Sequence, residues 1–291
     1  MDRRLFLATA GASAAGLLLP TRPLAAAPGA GTLASAPPPD RLTRVGLELY
    51  AVRNAMKANP ERTLAAIRKI GYTDVELLWT FNNFGQTTKE LRDTLKREGL
   101  KAPCAHIAPE ALLTEWERSL ATAKALDQKY LIVPSLPPET NRSIDAWKLW
   151  ANRFNVAGEV ARRSGIWLAL HNEPSHQKKL QGEVPIEAFA NAIDPKAVRL
   201  QLDCGNMLMG GGDPMDFLSR HRAKCWSFHL KNVVADRSAD TELGQGTFDL
   251  RAFLAAIPEI DKKPCFVEQE GASDELAAAA RNFQFVSALR W

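Results

Sequence analysis

Residues 44–79 read RVGLELYAVRNAMKANPERTLAAIRKIGYTDVELLW. The apolar run RVGLELYAV is followed by PERTLAAIRKIG, which opens on Pro60, spaces Leu64 and Ile67 as a helix does, and stops at Gly71. Proline pre-sets the backbone of a first helical turn and glycine ends one, so both ends of a helix are marked. DVELLW (74–79) is then a second apolar run. Strand, helix and strand in this order form the unit of a parallel sheet. A doubly wound nucleotide-binding sheet would place a glycine-rich turn after its first strand; here that strand runs into AVRNAMKANP, which has no glycine.

The unit recurs. Further strand candidates are APCAHI (102–107), YLIVPS (130–135), IWLALHN (166–172), VRLQLDCGN (198–206), CWSFHLKN (225–232) and CFVEQE (265–270). Between them lie TTKELRDTLKREG, closing on Gly99, then PEALLTEWERSLATAKAL, then SIDAWKLWANRFNVAGEVARRSG, closing on Gly165. Shorter helical patterns fall at 185–193, 214–222, 248–256 and 273–288. About eight strands alternating with about eight helices over roughly 250 residues predict a single (β/α)₈ TIM barrel at 43–291. Composition agrees: 291 residues, 46% hydrophobic and 24% charged, supply one large core that needs no disulfide or metal to fold. A net charge of +4, from 37 Lys+Arg against 33 Asp+Glu, gives no global field to gather nucleic acid or an anionic membrane.

The first 27 residues read as an address. Arg3 and Arg4 precede the uncharged run Leu5–Thr21 and the small residues LAAAPGA (24–30). The paired arginines, with Phe6 and Leu7 behind them, resemble a twin-arginine export signal. Such a signal implies the twin-arginine translocase as a partner, export in the folded state and a periplasmic or secreted protein. The run is shorter than the roughly 20 residues that span a bilayer, so no membrane anchor is expected after cleavage. Residues 28–42, with Pro37, Pro38 and Pro39, read as a flexible linker. The four cysteines each sit in or beside a strand-like run and are expected to be buried thiols rather than disulfides.

In a barrel of this kind chemistry gathers where strands end. The predicted ends carry Glu48, Glu76, His106, then His171 with Asn172 and Glu173, Asp203 with Asn206, His229 with Lys231, and Glu268 with Glu270. Side chains alternate along a strand, so the members two apart share a face. Two histidines with an aspartate and a glutamate suit one divalent ion, such as Mn²⁺, Co²⁺, Zn²⁺, Fe²⁺ or Mg²⁺. Any one of these residues could equally serve as a hydrogen-bonding core residue; recurrence at successive strand ends favours a site.

The runs GLELYAVR, GYTDVELLW, CAHI, LALHNEP, LQLDCGNM, SFHLKNV and FVEQE, in this order, resemble the sugar phosphate isomerase/epimerase group of xylose isomerase-like barrels. The resemblance implies one divalent ion held by a Glu, an Asp, a His and a second Glu from strands five to eight. Asp203, His229 and Glu268 fall on the last three of these positions, and His171 falls where many members have the first Glu. A ligand is kept there, but the symmetric pair of acid/base glutamates is not. The implied activity is sugar or keto-sugar isomerisation or epimerisation, by proton abstraction next to a carbonyl and a metal-stabilised enediolate. Glu268 is the expected base, Glu173 or Glu270 its partner, and Lys231 or His106 a group that steadies oxyanion charge. Glu48, Glu76, His106, Asn172, Asn206, Glu270 and Trp79 are expected to bind substrate, with Phe81 and Phe84 extending an apolar wall from Trp79.

Compartment favours a free or oxidised sugar over a phosphorylated one. Two other outcomes stay open: a metal-dependent lyase of 3-keto-sugars or their glycosides by β-elimination, and an exported carbohydrate-binding barrel without turnover. An abasic-site phosphodiesterase fits poorly, because it needs a His-rich site and a basic DNA face, and the chain has five His, with His221 ending a predicted helix. An assembly of identical copies is compatible with the sequence.

Overall fold

The computed structural model describes residues 40–291, so the expected leader and all but the last three residues of the expected linker lie outside the described residues. Eight strands close into a barrel: β1 (Gly46–Glu48), β2 (Asp74–Leu78), β3 (Lys101–His106), β4 (Tyr130–Val133), β5 (Trp167–His171), β6 (Val198–Asp203), β7 (Cys225–Leu230) and β8 (Cys265–Val267). Each pairs in parallel with the next, and β8 returns to β1. The predicted (β/α)₈ barrel is the observed fold.

The punctuation read from the sequence is built as hydrogen bonds. Asn59 caps the helix Pro60–Ile70 by accepting from the Arg62 amide, and Gly71 ends it at a φ of 127°. Thr87 and Glu90 form a reciprocal capping box on the helix Thr88–Glu98. Ser143 caps the 20-residue helix Ile144–Arg163. One expected helix is broken: PEALLTEWERSLATAKAL becomes Ala111–Thr114 and Trp116–Ala125, with Glu115 between them at φ −134° and ψ 21°. The break accompanies the burial of Trp116, whose indole donates to the Ala157 carbonyl at 2.8 Å.

Several expected strands also end sooner. Leu49–Val52 is a 3₁₀ turn, Cys204–Met209 is a helix capped by the Asp203 side chain, and Glu268 to Glu270 lie beyond β8. The residues with chemistry therefore stand where strands give way to loops.

Alternation sorts the interior into layers. A lower, apolar layer contains Cys104, Tyr130, Ile132, Ala169 and Phe266, with Trp167 and Trp226 packed on it. Below it the Arg199 guanidinium lies 3.9 Å from the Trp167 ring centre and 4.7 Å from that of Trp226, and donates to the carbonyls of Pro195 and Ala223. Above it lies a polar layer of buried Glu48, Glu76, His106, His171, Gln201, Asp203, His229 and Glu268. The outward faces of the strands bury Leu, Val and Phe side chains in the core shared with the helices. All four cysteines are buried free thiols, as expected. Among the described residues no helix is long and apolar enough to cross a membrane.

Gly46 lets the Phe266 ring fill the lower layer: a Cβ at position 46 would stand 2.4 Å from Phe266 Cδ1 and 3.0 Å from the Cys265 carbonyl. Gly46→Ala is expected to cost about 1–3 kcal/mol through overpacking, read as a lower thermal midpoint. An unchanged midpoint would show that the ring has room to move.

Candidate metal centre

Four side chains converge at the carboxyl ends of β5 to β8. His171 and Asp203 are the last residues of their strands, His229 is the penultimate residue of β7, and Glu268 follows β8 directly. The register sets Asp203 beside His229. All four are buried, and one donor atom from each lies within 4.8 Å of the other three. His171 Nε2 is 3.5 Å and His229 Nδ1 3.8 Å from Asp203 Oδ2, and His229 Nδ1 is 2.9 Å from Glu268 Oε2. Ligands that sit roughly 2.0–2.2 Å from one ion stand about 3–4 Å from each other, and these pairs match that spacing.

A second observation bears on the fit. Both ring nitrogens of His171 and Asp203 Oδ2 are buried with no hydrogen-bond partner among the described residues. Leaving such atoms unanswered costs about 1–3 kcal/mol each. The other atoms of Asp203 are fully held: Oδ1 accepts from the Asn206 amide at 2.8 Å, and Asn172 grips its backbone N–H and C=O at 2.8 and 3.0 Å. Asp203 is thus locked with Oδ2 facing the histidines, 3.2 Å from the Lys231 ammonium. The donor set suits a divalent cation held by His171, Asp203, His229 and Glu268.

Lys231 lies beside this set, fully buried. Its ammonium is 2.6 Å from Glu270, 3.0 Å from Glu268, 3.2 Å from Asp203 and 3.0 Å from Asn206 Oδ1. Burial pushes its pKa down, but Asp203, Glu268 and Glu270 outweigh burial and hold it well above the usual lysine range. Gly205 gives it room, since a Cβ there would meet Lys231 Cγ at 2.5 Å. Burial pushes the Glu268 carboxyl up, but Lys231 and His229 together draw it well below its ordinary range, so it is ionised at neutral pH.

Beneath the four runs a chain of polar contacts. His229 Nε2 is 2.5 Å from Glu76 Oε2, and Gln201 Nε2 donates to both Glu76 oxygens at 2.9 and 3.1 Å. The Gln201 carbonyl faces His106 Nε2 at 2.9 Å, and His106 Nδ1 is 3.2 Å from Glu48 Oε1. Burial lowers the His106 pKa to about 4, so the ring is neutral at pH 7. With its Nε2 proton given to Gln201, its Nδ1 lone pair faces Glu48. Burial, then the charge of Glu268, push the Glu48 carboxyl well above its ordinary range, so Glu48 carries the proton between them.

The centre opens on a cavity of about 260 Å³. Glu48, His106, His171, Glu173, Asn206, Glu268 and Glu270 line it, with Tyr50, Leu78, Phe81 and Pro134 on the apolar side and no Arg or Lys among them. Burial raises the Glu173 carboxyl. Of the residues expected to touch substrate, Glu76, Asn172 and Trp79 are not part of this lining. Glu76 is sealed below it, Asn172 holds Asp203, and Phe81 rather than Trp79 faces in, with Phe84 packed on it at 5.6 Å. Gln201 escaped the sequence reading, although it stands two residues before Asp203 on the same inward face of β6. A larger cavity of about 310 Å³ lies at the opposite, amino-terminal end of the barrel, among Arg44, Lys129, Tyr130, Trp167 and Lys263. It contains none of these groups.

A closed parallel barrel with buried histidines and carboxylates at its carboxyl end has the architecture of a TIM-barrel enzyme. A family model described as "Xylose isomerase-like TIM barrel" matches residues 64–289, and the chain belongs to that family. It is 28% identical over 117 residues to an inosose dehydratase of Salmonella typhimurium, a match covering 40% of this chain and 38% of that relative. An inosose dehydratase of Lacticaseibacillus casei is 23% identical over 218 residues, 75% of this chain and 68% of that relative. Among solved structures, a sugar phosphate isomerase/epimerase from Parabacteroides distasonis superposes with a TM-score of 0.72 at 21% identity, covering 90% of this chain and 98% of that one. An IolI protein solved with a bound zinc atom gives 0.64 at 16% identity, covering 84% and 95%.

Protein stripped with a chelator is expected to take up one equivalent of Zn²⁺ or Mn²⁺ per chain, measured by elemental analysis. Asp203→Asn and His229→Ala should each lose that stoichiometry. A full complement of metal in either variant would remove the residue from the ligand set.

Proposed function

We propose that the protein is a divalent-metal-dependent lyase that removes water from an uncharged keto-sugar or keto-cyclitol. The observation that carries the reading is the pairing of buried donor atoms without hydrogen-bond partners on His171 and Asp203 with a small cavity whose described lining has no Arg or Lys to meet a phosphate. The curated relatives named inosose dehydratase support it. A divalent ion in such a site polarises a carbonyl and lowers the acidity barrier of the neighbouring C–H bond.

The chain's own groups supply the rest. Glu268, ionised and fixed by Lys231, takes the proton from the carbon next to the carbonyl. The electron pair left on that carbon forms the new C=C bond as the β-hydroxyl departs. Glu48, protonated and facing the same cavity, delivers a proton to the leaving oxygen, so that substrate becomes an unsaturated ketone plus water. Lys231 keeps its charge throughout and prevents Glu268 from holding its proton in the resting state. Tyr50 and Phe81 offer apolar surface to a ring face.

Isomerisation or epimerisation is the second reading. It is favoured by Glu173, whose carboxylate lies 3.8 Å from His171 Nδ1 on the cavity wall and offers a second acid/base group. The expected leader adds an exported setting to the proposal, where free keto-sugars and glycosides are at hand.

Metal-loaded protein should be incubated with uncharged inososes and 3-keto-sugars in D₂O and followed by mass spectrometry and ultraviolet absorbance. Loss of one water with a new conjugated chromophore is expected. Deuterium uptake without water loss would transfer the assignment to isomerase or epimerase, and neither signal would leave a binding barrel. Glu268→Gln should lower turnover about 10²–10⁴-fold with its thermal midpoint preserved.

A further inference from the structure

We propose that Glu76 is the positioning residue of the metal centre, a buried carboxylate that fixes the His229 ring with Nδ1 facing Asp203 and Glu268. The inference rests on the reading of His229 as a ligand. Glu76 is fully buried and outside the cavity lining, so it has no route to substrate. Its Oε2 stands 2.5 Å from His229 Nε2. An acceptor at Nε2 keeps an imidazole proton on that nitrogen, so that Nδ1, which faces Asp203 and shares a proton with Glu268 at 2.9 Å, is the nitrogen left to bind a metal once that proton is displaced.

Packing alone does not make this choice. The ring is flanked by His106 at 5.5 Å and 24°, by His171 at 4.8 Å, and by Phe266 edge-on at 6.2 Å. Those neighbours hold the plane of the imidazole but accept it equally in either of its two flipped orientations. Two carboxylates distinguish them, Glu76 at Nε2 and Glu268 at Nδ1, and once Nδ1 turns to a metal Glu76 is the one that still accepts from the ring. Glu76 is itself held in place: Gln201 donates to both of its oxygens, and Gln201 also contacts Ser227 Oγ at 3.0 Å and His106.

Stability does not explain a carboxylate at this depth. A buried ionic group is often matched or bettered by an apolar side chain of similar volume, so a buried charge calls for another reason. Orientation of His229 is that reason. Groups that orient a metal-binding histidine from behind characteristically change affinity by 10–100-fold when removed.

The test compares wild type, Glu76→Gln and Glu76→Leu by two measurements. The first is Zn²⁺ affinity by competition with a chromophoric chelator. Glu76→Gln, which still accepts a hydrogen bond without the charge, should weaken binding about 10-fold, and Glu76→Leu about 100-fold. The second is proton–nitrogen NMR of the metal-free proteins. Wild type should show an exchange-protected, far-downfield His229 Nε2 proton, which Glu76→Gln should move upfield and Glu76→Leu should abolish. Wild-type Zn²⁺ affinity in a folded Glu76→Gln or Glu76→Leu protein would overturn the proposal, as would an unshifted Nε2 proton in either. Should wild type bind no Zn²⁺, the ligand reading of His229 fails, and with it the role assigned to Glu76.

Discussion

The interior of this barrel is governed by the cost of taking charge out of water. Eight strands deliver titratable groups to one layer at their carboxyl ends, and a charge buried there persists only if neighbours answer it. Lys231 is answered by Asp203, Glu268 and Glu270, His229 by Glu76 and Glu268, and neutral His106 by Gln201 and protonated Glu48. Against that background, unanswered atoms stand out. His171 Nε2 and Asp203 Oδ2 face each other across 3.5 Å, and among the described residues neither has a hydrogen-bond partner, although the Lys231 charge stands 3.2 Å from that oxygen. Among the described residues, the layer's other unpartnered side-chain atom is Glu48 Oε2, 3.6 Å from His229 Nδ1, so the gaps gather around the ligand set.

Much of the architecture was written locally. Pro60 with Gly71, Thr87 with Gly99, and Ser143 with Gly165 mark helix ends by backbone chemistry that acts over a few residues. The alternation of strands and helices then required a parallel sheet with covered faces. His171, Asp203, His229 and Glu268 were legible as a group because each sits where an apolar run stops. What local reading missed depends on distant partners. The split at Glu115 accompanies an indole reaching the helix Ile144–Arg163. The helix Cys204–Met209 hides in an apolar run that looks like continued strand until Asp203 turns its side chain back to cap it. Glu76 and His229 are separated by 153 residues and meet across the barrel interior, at a depth set by the tilt of the strands.

The histidine at 171 changes the character of the site relative to the pattern that the sequence resembles. A neutral imidazole in place of a carboxylate removes one negative charge from the ligand set. A bound cation would be less neutralised by its ligands and would draw electrons more strongly from whatever oxygen it meets. Imidazole also favours borderline metals such as zinc, cobalt and iron over magnesium.

The amino-terminal end of the barrel is stoppered. Arg199 is wedged between Trp167 and Trp226, and the apolar layer of Tyr130, Ile132 and Phe266 lies above it. Among the described residues the polar layer therefore opens on the side where the strands end. On the proposed reading, substrate and product share that route, so the one is kept out of the vestibule while the other occupies it.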